Sequence, residues 1–207
     1  RFHGGDHRPW RYDNASEAVI RQYLTMRYKL SPSLIAAGHH VAETGTPFVQ
    51  RCDLVWPEHA ANGAADPTQY LFLNDTLVAP IFDDPDPKSG MANRTVWIPP
   101  GIWQDAWDGS TVTGPKVVLA VQPAERQPMW HRKDGGFVVM TDSPGLRIEE
   151  QDWSELTLEL HPSTSAMVTE RTLYAAPADG GREKATTHLA LRTDGRGKAA
   201  LEITEAS

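Results

Sequence analysis

Three side chains able to hold a proton, a metal or a hydroxyl crowd the opening run RFHGGDH: His3, Asp6 and His7. Imidazole and carboxylate in such proximity suit acid/base chemistry or metal ligation, and His39 and His40 could add ligands. Two details weigh against a metal. The run lacks the first histidine of the H-x-H-x-D-H metal-site pattern, and adjacent residues on a helix point about 100° apart. Cys52, beside Arg51, could act as a nucleophile if its thiol were activated. An isolated cysteine is more often a small buried apolar residue. Trp97, Trp103 and Trp107 could stack on sugar rings, but the turn-and-strand character of their segment favours packing.

The elements that would position these groups follow from the pattern of the chain. Gly4, Gly5 and Pro9 make the first twelve residues loop-like. Asn14 and Glu17 then read as a capping box, with Ala18, Tyr23, Met26 and Leu30 at helical spacing. Ser31-Pro32 interrupts that helix and starts a second, expected from about 33 to 42 and ended by Gly45. PFVQRCDLVWP (47–57) reads as a buried strand with its exit loop, and DPTQYLFL (66–73) as a short helix, giving the rhythm of a parallel α/β unit. From Thr76 the rhythm becomes all-β, in short β-branched or aromatic runs separated by Gly, Pro and Asp turns. Asp194-Gly195 marks a hairpin turn. A single parallel strand with two helices leaves its edges unpaired, so the missing strands must come from a longer parent chain or another polypeptide. The start at Arg1, without Met, favours the same expectation.

Composition excludes several classes. With 207 residues, 40% hydrophobic and 23% charged, the chain can bury a core. A net charge of −7 opposes nucleic acid and anionic membrane surfaces as partners. No apolar run approaches the roughly 18 residues of a membrane helix. The single cysteine rules out an internal disulfide and a thiolate-cage zinc site. Asn14, Asn74 and Asn93 stand in N-x-S/T sequons, a slight pointer to a secreted or endomembrane setting.

Six stretches carry a family resemblance. Arg1-Phe2-His3-Gly4 resembles an Arg-x-His segment at the end of a late barrel strand, with Pro9-Trp10 in the following loop. IRQYLTMRYKLSPSL (20–34), Thr44-Gly45-Thr46-Pro47 with Arg51, and LNDTLVAPI (73–81) resemble successive segments of the same family. VWIPPGIWQDAWDG (96–109) resembles its V-Y-L-P-x-G-x-W-x-D-x-W-x-G run, the most specific of the set, and 127–135 its I-P-x-F-x-R-x-G segment. The family is glycoside hydrolase family 31, and the resemblance is to its C-terminal third. Cys52 stands where the family has proline and Asn74 where it has glycine. Beyond residue 145 only the rhythm matches.

The resemblance implies α/β followed by all-β: residues 1–75 as the terminal piece of a (β/α)8 barrel, 76–143 as a proximal antiparallel β-sandwich, and 144–207 as a smaller distal β-domain. It implies a retaining α-glycosidase, most commonly an α-glucosidase, acting on α-linked oligosaccharides or glycosides. The nucleophile and the acid of such an enzyme are carboxylates about 5–5.5 Å apart. In the family both are aspartates upstream of the Arg-x-His segment, so no catalytic residue is expected in this chain and the N-terminal portion of the same enzyme is the expected partner. His3 matches the histidine that hydrogen-bonds a sugar hydroxyl, a role suited to an imidazole that donates from one nitrogen. Arg1 matches the arginine that orients acidic groups of the site. Two-carboxylate chemistry needs neither metal nor redox group, so no cofactor is expected. Two rivals remain: a non-catalytic carbohydrate-binding or scaffolding β-protein, and a metal-dependent hydrolase using HGGDH.

Overall fold

The computed structural model describes residues 8–145, 147, 150–174 and 186–206. Helix α1 (Asn14–Lys29) begins one residue earlier than the Asn14 capping box predicts, because Asp13 is the stronger cap. Its carboxylate accepts from the Ser16 amide at 3.0 Å and from the Ser16 hydroxyl at 2.8 Å. Glu17 turns instead to Arg21, 2.6 Å away and one helical turn on. Helix α2 (Ser31–Thr44) comes after the single residue Leu30, with Pro32 in its first turn and Gly45 at φ 75° closing it.

Residues 47 to 73 do not form the expected parallel unit. The segment 47–57 contains a three-residue strand, β1 (Val49–Arg51), and one helical turn, α3 (Cys52–Val55). The expected short helix at 66–73 is instead strand β2 (Tyr70–Phe72). β1 pairs antiparallel with β2, and β2 with β3 (Thr76–Val78). Three-residue apolar runs do not reveal their period, and the turn after β2, with Leu73 at φ 54° and Asn74 at φ 66°, reverses the chain at once. Every strand pair among the described residues is antiparallel.

The remaining strands are β4 (Met91–Asp105), β5 (Thr111–Pro123), β6 (Met129–Arg132), β7 (Gly136–Thr141), β8 (Leu156–His161), β9 (Ala166–Tyr174), β10 (Thr186–Asp194) and β11 (Ala199–Ala206). They form a six-stranded sheet in the order β1-β2-β3-β6-β4-β5, a three-stranded sheet β11-β10-β9, and the pair β7-β8. The six-stranded sheet thus extends back across residue 75, and β7 pairs with β8 beyond residue 143.

Two cores hold these layers. The first gathers Trp56, Trp97, Trp103 and Trp130 with Leu77, Val96 and Ile98. Trp103 is completely buried, its indole N–H donating to the Pro99 carbonyl at 3.0 Å. Pro99 and Pro100 cannot donate to the ladder, and the β4–β5 register shifts between Ile98 and Gly101. There the strands come so close that a Cβ at Gly114 would collide with the Pro99 carbonyl oxygen. Gln69, fully buried, clamps β4 by accepting from the Trp97 amide at 3.0 Å and donating to the Trp97 carbonyl at 2.9 Å. The second core joins Phe137, Val139, Leu173, Leu189 and Leu191 to Ala36 of α2. Ser33, buried in the first turn of α2, donates to the Val139 carbonyl at 2.8 Å and accepts from its amide at 3.1 Å. That pair of bonds occupies the edge of β7 that β8 leaves open.

Candidate functional site

Arg1, His3, Asp6 and His7 lie outside the described residues, and with them the sequence-derived sugar contacts and the HGGDH metal candidate. The other candidates are placed. Cys52 is completely buried, accepts from the Gln69 amide group at 3.6 Å, and has its thiol pushed up by burial, so it is a packing residue rather than a nucleophile. His39 stacks on Tyr174 with ring centroids 3.7 Å apart. Trp97 and Trp103 belong to the core, as the spacing favours.

The described chain opens with the short 3-10 turn Pro9–Arg11, where Trp10 is 64% exposed and the Arg8 guanidinium sits 5.8 Å from its ring centroid. α1 comes next, with no buried side chain along its length. Two joints tie it to the sandwich: Lys29 lies 3.6 Å from Asp142, just past β7, and Tyr23 meets Gln127 and Trp107. The Tyr23 hydroxyl accepts from the Gln127 amide at 2.8 Å, and its ring meets Trp107 edge-on at 6.5 Å. Trp107 in turn donates to the Gln127 carbonyl at 2.7 Å and lies 5.4 Å from the Arg126 guanidinium. Partial burial raises the Tyr23 phenol above its ordinary range, which keeps it protonated in this joint. Leu24 and Tyr28, elsewhere on α1, stay exposed.

A concavity of about 440 Å³ lies where α2, the β2–β3 turn and the β9–β10 sheet meet. Its floor carries Asp75, buried and bonded to the Arg171 guanidinium, with Arg132 close enough to act on the same carboxyl. Burial raises the Asp75 carboxyl, against the pull of Arg171 and then Arg132. Arg132 is held over the faces of Trp56 and Trp103, at 5.8 and 5.5 Å, and makes no side-chain hydrogen bond among the described residues. Leu73 and Asn74, the two non-glycine residues at positive φ among the described residues, line the same space. Sequence reasoning missed this site. Asp75 and Arg171 are 96 positions apart, and the one local signal was Asn74, whose type tolerates a left-handed turn.

Between the two cores His131 of β6 and His161 of β8 stack with ring centroids 5.7 Å apart. Nδ1 of His131 pairs with the Thr76 hydroxyl at 3.1 Å, while the buried Nε2 of His161 has no hydrogen bond and lies 3.5 Å from a Glu159 oxygen. Burial pulls both imidazoles below their ordinary range, against Glu159, which raises both. The unfolded chain therefore binds protons that the folded one refuses. Stability is retained above about pH 6.5 and falls as pH drops below that unfolded-state value toward the lower folded-state values. The melting temperature is expected to be lower at about pH 5.5 than at about pH 7.5, and His161→Gln to shrink that difference. An unchanged difference in thermal melts of the variant would refute the assignment.

Residues 45–136 match the family model described as Glycosyl hydrolase family 31 C-terminal domain. Alpha-glucosidase 2 of Bacillus thermoamyloliquefaciens is 23% identical over 188 residues, which are 91% of this chain and 20% of that protein. Alpha-xylosidase XylQ of Lactiplantibacillus pentosus is 31% identical over 119 residues, 56% of this chain and 15% of its own length. The structure of the GH31 dextranase of Flavobacterium johnsoniae complexed with glucose superposes with a TM-score of 0.77 at 21% identity, covering 92% of this chain and 23% of that one. The chain spans a fifth or less of the length of these curated relatives.

Proposed function

We propose that the chain belongs to glycoside hydrolase family 31, whose C-terminal domain model matches residues 45–136, and that it is the C-terminal part of a retaining α-glycosidase whose catalytic aspartates lie on an N-terminal portion. Helix α1 is the observation that carries this reading. A sixteen-residue helix with no buried side chain, fastened to the sandwich by Tyr23 and exposing Leu24 and Tyr28, is half of an interface. The missing half is the rest of a (β/α)8 barrel, to which α1 and α2 contribute the last helices.

In that assembly the two cores form a rigid base that fixes where the chain enters α1. The segment just before α1 then reaches the mouth of the barrel, where sites of such barrels form. His3 donates a hydrogen bond to a sugar hydroxyl and Arg1 orients the acidic groups. Hydrolysis proceeds on the N-terminal portion by attack of one carboxylate and protonation of the leaving oxygen by the other. α-Glucosidase is the activity we assign. The curated relatives also include an alpha-xylosidase, a sulfoquinovosidase and a glucosyltransferase, and we assign the choice among such sugars largely to loops outside this chain. The 207-residue polypeptide alone is expected to show no turnover of aryl α-glucosides, and the complete enzyme to show it. Hydrolysis by the isolated, partner-free chain would defeat the proposal.

A further inference from the structure

We propose that the 440 Å³ cavity between α2, the β2–β3 turn and the β9–β10 sheet is a non-catalytic binding site for a neutral α-linked oligosaccharide. The ligand class rests on the glycosidase reading; the existence of a site does not. Its volume falls within the range of roughly 300–1,000 Å³ of small-molecule sites. Several costly features converge on it: a buried carboxylate, the buried Nε of Arg171 with no hydrogen-bond partner among the described residues, and two non-glycine residues at positive φ.

The chemistry of the lining selects the ligand. Arg132 and Arg171 face Asp75, Glu43 and Glu170, so the formal charges balance to within one and give no strong field for an anion or a cation. What remains is a mixture of donors and acceptors at close quarters. Each sugar hydroxyl both donates and accepts, so a polyol can satisfy such a mixture where a phosphate, which accepts alone at its charged oxygens, cannot. Arg132 offers N–H groups held in place by the two indole faces. Glu170 offers carboxylate oxygens at the rim, where His188 is 3.8 Å from it.

The walls supply the apolar half of the recognition. Phe48 is 37% exposed and braced edge-on against Phe72 at 6.3 Å. Tyr174 is fixed by its stack on His39 and by a 3.4 Å hydrogen bond from its hydroxyl to Glu43. Flat, immobilised rings suit the C–H face of a pyranose at low entropic cost. The site sits beside the C-terminal half of α2, where that helix, two sheets and the tight β2–β3 turn meet.

The test is calorimetric titration of maltotriose and of isomaltotriose into the complete enzyme after its catalytic centre has been blocked by a covalent inactivator. The expected result is one saturable site in the millimolar range for at least one trisaccharide, indifferent to inorganic phosphate. Phe48→Ala and Tyr174→Ala, each checked for an unchanged thermal melt, are expected to weaken it about tenfold or more, as the loss of about 1.4 kcal/mol would. Absence of saturable binding, binding that survives both substitutions, or displacement by phosphate would overturn the proposal. Aryl α-glucoside turnover by the unblocked complete enzyme is scored separately: turnover without trisaccharide binding refutes this site alone, and no turnover refutes the glycosidase reading whatever the calorimetry gives.

Discussion

Trp103→Ala is expected to destabilise the protein by about 3–5 kcal/mol, the usual cost of deleting a large buried aromatic. Trp103 is fully buried among Trp56, Trp97 and Trp130. Truncation opens a cavity there, strips the Pro99 carbonyl of its indole donor, and removes one of the two ring faces that steady Arg132. For a chain of this size each kcal/mol lowers the melting temperature by roughly 2–4 °C. Trp103→Phe keeps most of the volume and is expected to cost clearly less. Calorimetric melts of both variants decide the matter; a near-wild-type alanine variant would mean that the tryptophan cluster does not hold the six-stranded sheet.

His3→Ala in the complete enzyme is expected to lower kcat/KM by about 30- to 1000-fold, or roughly 2–4 kcal/mol of transition-state binding, with little change in melting temperature. The reason is a single hydrogen bond to a sugar hydroxyl that tightens as the glycosidic bond breaks. A metal centre predicts a different pattern, in which His3→Ala, Asp6→Ala and His7→Ala collapse together and EDTA mimics them. Kinetics of the three variants with and without chelator separate the two. Joint collapse with chelator sensitivity would defeat the sugar-contact role.

Long, well-punctuated elements could be read from the chain. Gly45 and Pro32 delimit α2 because one supplies a left-handed closing residue and the other fits only the first helical turn. VWIPPGIWQDAWDG carried enough aromatic and proline detail to mark a packed strand, and β4 buries Trp97 and Trp103 there. Short elements could not. Val49–Arg51 and Tyr70–Phe72 are three residues each, and the turn that pairs the second of them with β3 is led by Leu73, whose type gives no hint of a positive φ. The cavity was less legible still. Its members come from residues 36 to 188 and meet only once α2 and two sheets are packed. The sugar contacts at Arg1 and His3 rest on the family resemblance, because nothing in their local spacing distinguishes a sugar hydroxyl from a metal ion.

The hydrogen bonds between Ser33 and Val139 set a schedule for how the chain is made. The two residues are 106 positions apart. At ribosomal rates of about 5–20 residues per second, Val139 emerges roughly 5–20 s after Ser33. Throughout that interval α2 has neither β7 nor the leucines of β9 and β10 to dock on, so Ala36 and the Ser33 hydroxyl face water or a borrowed surface. A ribosome paused before residue 139 holds this helix half-finished, and codon choice across β4 to β6 becomes a lever on the yield of folded protein.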